Sequence, residues 1–361
     1  MAAAVTLSAA TGVAQAAPVD GRVVVEGSET RAPSTEVPGA SEVVTFTYRT
    51  EGAEGVSTAQ IFVPEGEAPP GGWPIVAWAH GTVGMTDADA PSRTGVQYDI
   101  YRNLYGDWLK RGFLVVATDY AGLGTPGVHP YLNADVAAHN VVDSVVAARE
   151  LIPDASRVWA VAGQSQGGHA ALATATRAAD YAPDLDFRGT FASGPPTNLD
   201  RLTAIAGPEF PPLRVDGLTL YMAYIAAGLH DSRPDLDLAQ YMTPLGLELV
   251  EQADALPMEE FRQRLAGVYV GDLFARPIAG TPVEQAISDY FAIDVDGFDR
   301  PVMIVQGLAD TVVPPPLTFW FAADLALAGE DFDLRLPVAG HVEGLAESTP
   351  EIGDYLESIL R

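Results

Sequence analysis

Five short apolar runs constrain the fold of this 361-residue chain more than any other feature: PIVAWA (74–79), FLVVATD (113–119), RVWAVAG (157–163), the weaker FRGTFAS (187–193) and PVMIVQG (301–307). Most are continuous and rich in valine, which is how strands read when both faces of their sheet are covered. Between the second and third runs, Ala138, Val141, Val142, Val145 and Val146 recur at helical spacing, so residues 134–152 read as an amphipathic helix. Strand, helix, strand alternation implies a mostly parallel sheet with right-handed crossovers, flanked by helices. The alternating stretches 43–49 and 57–63, split by a glycine-containing turn, add an antiparallel hairpin before it. In such a sheet, ligand sites lie beyond the carboxyl ends of the strands.

The rhythm breaks over about residues 197–297, where the proline-rich GPEFPPL precedes several helical patterns, among them Leu220, Tyr221, Tyr224 and Ile225. Because the strand pattern resumes at Pro301, this stretch reads as a helical insertion into one sheet and not as a separate domain. At the N-terminus, residues 1–20 are small and apolar with no charge before Asp20, and Ala14-Gln15-Ala16 fits the small-x-small pattern of a signal peptidase site. A signal peptide over 1–16 is therefore expected, incomplete because a positive n-region is missing, followed by one folded domain over 17–361. No other stretch reaches the length of a membrane span.

Acidic residues number 48 against 20 basic ones, giving a net charge of −28, and Lys110 is the only lysine. That excess repels phosphate backbones, so no nucleic acid partner is expected. The absence of cysteine rules out disulfides, thiol nucleophiles and thiolate metal sites. No zincin, EF-hand, P-loop or dinucleotide fingerprint is present, so neither a metal nor a cofactor is inferred.

The chemistry is concentrated in GQSQGGH, residues 163–169. In G-x-S-x-G the serine occupies a sharp strand-to-helix turn, and the two glycines remove side chains that would collide with neighbouring backbone. Ser165 is thereby a candidate nucleophile, which needs a base and a group to orient that base. His341, in the glycine-flanked PVAGHVEG after the last strand-like run, and Asp310, in VQGLADTVVPP 31 residues earlier, supply them. Serine, acid, histidine, each just past an expected strand, is the order of the α/β-hydrolase arrangement. Gln166 follows the nucleophile and offers one oxyanion N–H; the loop AWAHGTVG offers a second at Thr82. His80 and His169 are alternative bases, the first better suited to fixing its loop and the second stacked one turn behind Ser165.

The segments AWAHGT, VVATDYAGLGTPGVHPYL, GQSQGGHAAL, VQGLADTVVPP and AGH, in this order, resemble the secretory lipase family of fungi and actinobacteria. The resemblance covers about residues 40–355 and maps the triad onto Ser165, Asp310 and His341. It implies an α/β-hydrolase fold with a helical cap and a secreted serine carboxylic ester hydrolase that forms an acyl-enzyme. It also places Tyr120, in the loop after the fourth strand, near the site; Tyr221 and Tyr224 of the insertion are further candidates for the substrate pocket. Expected partners are a small-molecule or lipid ester and a lipid–water interface, with no obligate protein partner. A prolyl-oligopeptidase-type serine peptidase and a non-catalytic binding protein on the same fold are the competing alternatives.

Overall fold

A computed structural model of the chain describes residues 25–31, 37–52, 54–203, 205–213, 215 and 217–361. The expected signal peptide over 1–16 lies outside them. Nine strands form one sheet: β1 (Val25–Arg31), β2 (Ala40–Arg49), β3 (Val56–Pro64), β4 (Trp73–Ala79), β5 (Leu114–Thr118), β6 (Ala155–Gln164), β7 (Asp186–Ser193), β8 (Val302–Val305) and β9 (Asp333–Arg335). Their spatial order is β1-β2-β3-β5-β4-β6-β7-β8-β9. The pairs β1–β2, β2–β3 and β3–β5 are antiparallel, and every pair from β5–β4 onward is parallel. This is the fold class expected from the sequence, with one strand more: β1, whose sequence VEGSETR carries no alternation that would announce it.

The apolar runs are continuous because each strand feeds two cores. On β4, Ile75, Ala77 and Ala79 face one side while Val76 and Trp78 face the other; on β6, Trp159 and Val161 oppose Ala160 and Ala162. Helices α1 (Pro91–Thr94) and α2 (Asp99–Lys110) follow β4, and α3 (Ala134–Leu151) follows β5. Helix α4 (Gln166–Tyr181) springs directly from β6, α11 (Pro315–Ala328) separates β8 from β9, and α12 (His341–Leu360) closes the chain. The α2 and α12 face buries Trp78, Trp108, Leu345 and Leu356 together; α3 and α4 cover the other face.

Between β7 and β8 run six helices: α5 (Asp200–Thr203), α6 (Leu218–Ser232), α7 (Pro244–Ala253), α8 (Met258–Arg264), α9 (Val270–Leu273) and α10 (Pro282–Phe291). They have a core of their own, around Tyr224, Leu249, Phe261, Leu273 and Ile278, which also takes in Met85, Tyr131 and Leu132 from loops of the sheet body. The helical segment is thus packed onto the carboxyl-end loops and does not stand free.

The antiparallel hairpin joins the parallel sheet through the β3–β5 pairing, and one buried side chain reinforces the junction. Tyr48, fully buried on β2, bonds Thr118 Oγ1 at 2.6 Å and donates to the carbonyl of Asn140 on α3 at 2.9 Å. Tyr48→Phe removes both hydrogen bonds of a buried hydroxyl, so it should cost about 1–3 kcal/mol. The measurement is the urea midpoint; an unchanged midpoint would mean that the β3–β5 ladder and the apolar face hold the hairpin without it.

Candidate active site

The turn from β6 into α4 is drawn tight against neighbouring backbone. Ser165 sits at φ 57° and ψ −122°, a left-handed-side conformation that non-glycine residues avoid. Its flanks explain why it persists. A Cβ on Gly163 would fall 2.0 Å from the carbonyl oxygen of Gly167, and one on Gly167 would fall 1.8 Å from that of Ala79. The start of α4 therefore rests on the ends of both β6 and β4, and the Ser165 N–H is held by Ser193 O at 2.8 Å, at the end of β7.

Asp310 and His341 come together at the same sheet edge. His341 Nδ1 lies 2.6 Å from Asp310 Oδ2, with the Asp310 side chain fully buried and that of His341 10% exposed. The carboxylate is over-determined: Oδ1 accepts from the N–H groups of Val312 (2.9 Å) and Val313 (2.8 Å), and Oδ2 also accepts from Gln306 Nε2 at 3.2 Å. Because Nδ1–H faces a carboxylate, Nε2 carries the free lone pair, and Nε2 is buried without a hydrogen-bond partner. A side chain at Gly194, the residue after Ser193, would reach within 2.8 Å of His341 Cε1 and 3.5 Å of Asp310 Oδ2. The pair thus stands beside the strand end that fixes Ser165. No hydrogen bond joins Nε2 to Ser165 Oγ; in substrate-free enzymes such bonds are commonly long and tighten on binding. His341 differs from expectation in one respect: it is the first residue of α12, not part of a loop, so its backbone is fixed by a helix.

Three of the other histidines, His80, His129 and His169, are braces. His80 places Nδ1 2.7 Å from Gly81 O and Nε2 3.2 Å from Asp119 O. His169 Nε2 donates to Phe291 O at 3.0 Å, joining α4 to the end of α10. His129 donates from Nδ1 to Ala121 O at 2.9 Å, so its Nε2 accepts from Gln166 Nε2 at 2.8 Å. Burial pushes His129 and His169 down to about 4 and lowers His80 as well, so all three stay neutral near neutral pH.

Gln166 begins α4 with its side chain turned back onto His129, which leaves its N–H at the helix start. Thr82 joins its hydroxyl to that of Tyr131 at 2.6 Å. Ser165 opens into an apolar cleft with about 600 Å³ of space, solvent mouth included, walled by Leu218, Tyr221, Met222 and Ile225 of α6, by Val312 and Val313 beside Asp310, and by Leu317. Tyr221 is in that wall. Tyr120 and Tyr224 are not: Tyr120 is buried with its hydroxyl on His80 O at 3.1 Å, and Tyr224 points the opposite way on α6, stacked on Phe261 in the segment's own core. Both are too far inside to meet a ligand in the cleft. Sequence reasoning missed Gln306, His129 and Tyr131; their only signal was a polar side chain at the end of an apolar strand or in the quoted glycine-rich loop.

The secretory lipase family model matches residues 90–244. The fold is similar to a ligand-bound crystal structure of the rice cell wall degrading esterase LipA from Xanthomonas oryzae, with a TM-score of 0.78 and 19% identity over 95% of this chain and 100% of that one. It is similar also to Candida antarctica lipase A in its closed state, with a TM-score of 0.73 and 17% identity over 94% and 83% of the two chains. Among curated proteins none matches the sequence. The chain has the α/β-hydrolase fold and resembles the secretory lipase family.

Asp119, beside this site at the end of β5, gives a test of how the loops are held. Its carboxylate is buried and accepts from Ser92 N–H at 2.9 Å and Thr58 Oγ1 at 2.5 Å. Burial raises it to about 6, against the lowering effect of those bonds. The native state therefore binds this proton more tightly than the unfolded chain, and the residue's contribution to stability falls as pH rises from about 4 to about 6, by about 3 kcal/mol at most. Asp119→Asn keeps an acceptor for Ser92 and should remove this part of the slope. Urea unfolding of both proteins at about pH 5 and about pH 7 reads it; equal slopes would show that Asp119 is charged throughout.

Proposed function

We propose that this α/β-hydrolase is a secreted serine carboxylic ester hydrolase working through an acyl-enzyme, with Ser165 as nucleophile, His341 as base and Asp310 as the group that orients it. The observation that carries the reading is the 2.6 Å Asp310–His341 pair whose second ring nitrogen is buried and unpartnered at the edge that holds Ser165. Ser165 Oγ attacks the acyl carbon while its proton passes to His341 Nε2. The imidazolium keeps its Nδ1–H on Asp310, whose charge is already balanced by two backbone N–H groups and Gln306. The oxyanion forms against the N–H groups of Gln166 and Thr82, and helix α4, beginning at Gln166, adds the positive end of its dipole. Collapse breaks the bond to the alcohol, which leaves with the proton from Nε2, and water then repeats the sequence to free the acid and restore Ser165.

The segment over about 197–297 is proposed as the cap that supplies the acyl pocket, within a hydrolase domain spanning 17–361. What supports it is that α6 presents Leu218, Tyr221, Met222 and Ile225 to the cleft that holds Ser165. Apolar lining of this kind suits an acyl chain, since each buried methylene contributes about 0.8 kcal/mol. Secretion belongs to the same proposal, supported by the family match and by the Ala14-Gln15-Ala16 pattern; among the described residues no helix is long and apolar enough to cross a membrane.

Ser165→Ala should abolish hydrolysis of p-nitrophenyl esters and labelling by a fluorophosphonate at unchanged melting temperature. His341→Ala should lower kcat by roughly 10³-fold or more with little change in KM. Retained labelling of Ser165→Ala, or turnover of peptide anilides in preference to esters, would overturn the assignment. The pocket has its own test. Tyr221→Ala should shift the preference among acetate, butyrate and octanoate esters without altering thermal stability, whereas Tyr224→Leu should lower the melting temperature and leave the preference as it was. The reverse pattern would move the acyl pocket elsewhere.

A further inference from the structure

One buried amide ties together the whole loop that carries Asp310. Gln306, the residue after β8, is fully buried, and its Nε2 donates to Gly307 O, Asp310 Oδ2 and Val313 O, each at 3.2 Å. On the other side of the amide, Oε1 accepts from the hydroxyl of Thr318, equally buried in the first turn of α11, at 2.6 Å. The loop is thus held at its start, at its acid, at its end and at the helix that follows, all by one side chain. The amide can point only this way. Turned over, it would set its oxygen against three acceptors, whereas the Thr318 hydroxyl has a proton to give.

The anchor at Thr318 is itself fixed. Residues 314–316 are three prolines, so the chain between Val313 and Leu317 has its φ angles set. Leu317 O accepts from Thr197 Oγ1 at 3.1 Å and from Asn198 Nδ2 at 3.3 Å, on the chain that leaves β7 for the helical segment. A threonine within a helix often returns its hydroxyl to the carbonyl one turn back; Thr318 gives its own to Gln306. The amide accepts one bond as it donates others, and members of such a chain strengthen one another. The end of that chain is Asp310 Oδ2, the oxygen that also faces His341 Nδ1 at 2.6 Å.

We propose that Gln306 and Thr318 are a pair of positioning residues: Thr318 fixes the Gln306 amide, and the amide holds Asp310 Oδ2 where it directs His341 Nδ1 and so aims Nε2 at Ser165. The inference rests on the ester hydrolase reading above. The N–H groups of Val312 and Val313 hold Oδ1 only, so a carboxylate left to them could still swing its second oxygen. At Oδ2 the Gln306 amide and the His341 ring share the oxygen, and holding it still aligns the base before substrate arrives.

The test uses purified enzyme and p-nitrophenyl butyrate, with rates expressed per active site titrated by a fluorophosphonate. Gln306→Leu should lower kcat by about 10-fold, with KM changed less than about 2-fold. Thr318→Val should lower kcat by about 3-fold, Thr318→Ser should restore it, and Thr318→Val should add nothing in Gln306→Leu, because its effect passes through an amide no longer there. Two readouts separate positioning from loss of stability. The far-downfield proton resonance of His341 Nδ1–H should move in both Gln306→Leu and Thr318→Val. Gln306→Leu should also cost nothing further in Asp310→Ala, which lacks the oxygen the amide holds. Full kcat in Gln306→Leu, an unmoved resonance, or a further loss in Asp310→Ala would overturn the proposal. If Gln306→Leu does not fold, Thr318→Val, which keeps the amide, decides by the same rate and resonance. If Ser165→Ala is inactive while Gln306→Leu keeps full kcat, only the positioning role fails; if Ser165→Ala is active, the underlying reading fails first.

Discussion

The close approach of the β6–α4 turn to the end of β4 is the constraint on which the site depends. Two missing side chains, at Gly163 and Gly167, allow helix α4 to begin within contact of Ala79 and His80, and the price is Ser165 held at a positive φ. A strained residue persists only where its surroundings over-determine it. Here the determinants are the Ser193 carbonyl on one side, the His169 N–H closing the first helical turn onto Ser165 O at 3.1 Å, and the flanking strands themselves. Because β4, β6 and β7 are neighbours in the sheet, their ends deliver the Thr82 loop, Ser165 and Gly194 to one line. β8 then brings Asp310 in behind Gly194, and β9 leads into His341.

Burial sorts the histidines. His80, His129 and His169 each have a ring nitrogen bonded to a backbone carbonyl in surroundings that disfavour a charge, which makes them neutral struts between loops. His341 alone among the described histidines combines a carboxylate on one nitrogen with a buried, unpartnered other. The distinction is a matter of partners: a carbonyl fixes a tautomer, whereas a carboxylate also stabilises the imidazolium that a base becomes.

The parts of this arrangement written locally were legible in the sequence. Strands covered on both faces read as unbroken apolar runs because alternate residues such as Val76 and Ala77 serve different cores, and the turn chemistry around Ser165 is contained within five residues. What could not be read was direction. Helix α6 is apolar nearly all round, since one side meets the cleft and the other meets α7 and α8, so periodicity alone could not separate Tyr221 from Tyr224. Tyr120 was placed near the site by its loop, but its ring turns inward onto His80. Strand β1 escaped notice because an edge strand paired on one side needs no apolar pattern, and the helical start at His341 was hidden by the glycines beside it.

The helical segment and the sheet edge that holds Ser165 are one packed unit, and this governs how change in one reaches the other. Met85, Tyr131 and Leu132 belong by sequence to the sheet body yet are buried in the segment's core, and His169 ties α4 to the last turn of α10. A side chain of the cleft wall that belongs to no core, such as Val312, can vary in size with its consequences confined to what fits there. Tyr131 has no such latitude: its ring packs on Tyr224 of the segment while its hydroxyl bonds that of Thr82 in the loop after β4, so a shift of α6 would be felt in that loop. Interiors packed at crystal-like density transmit displacements of this kind without absorbing them. The shape of the cleft and the position of the loop after β4 are therefore not independent in this fold, and Tyr131 is where they meet.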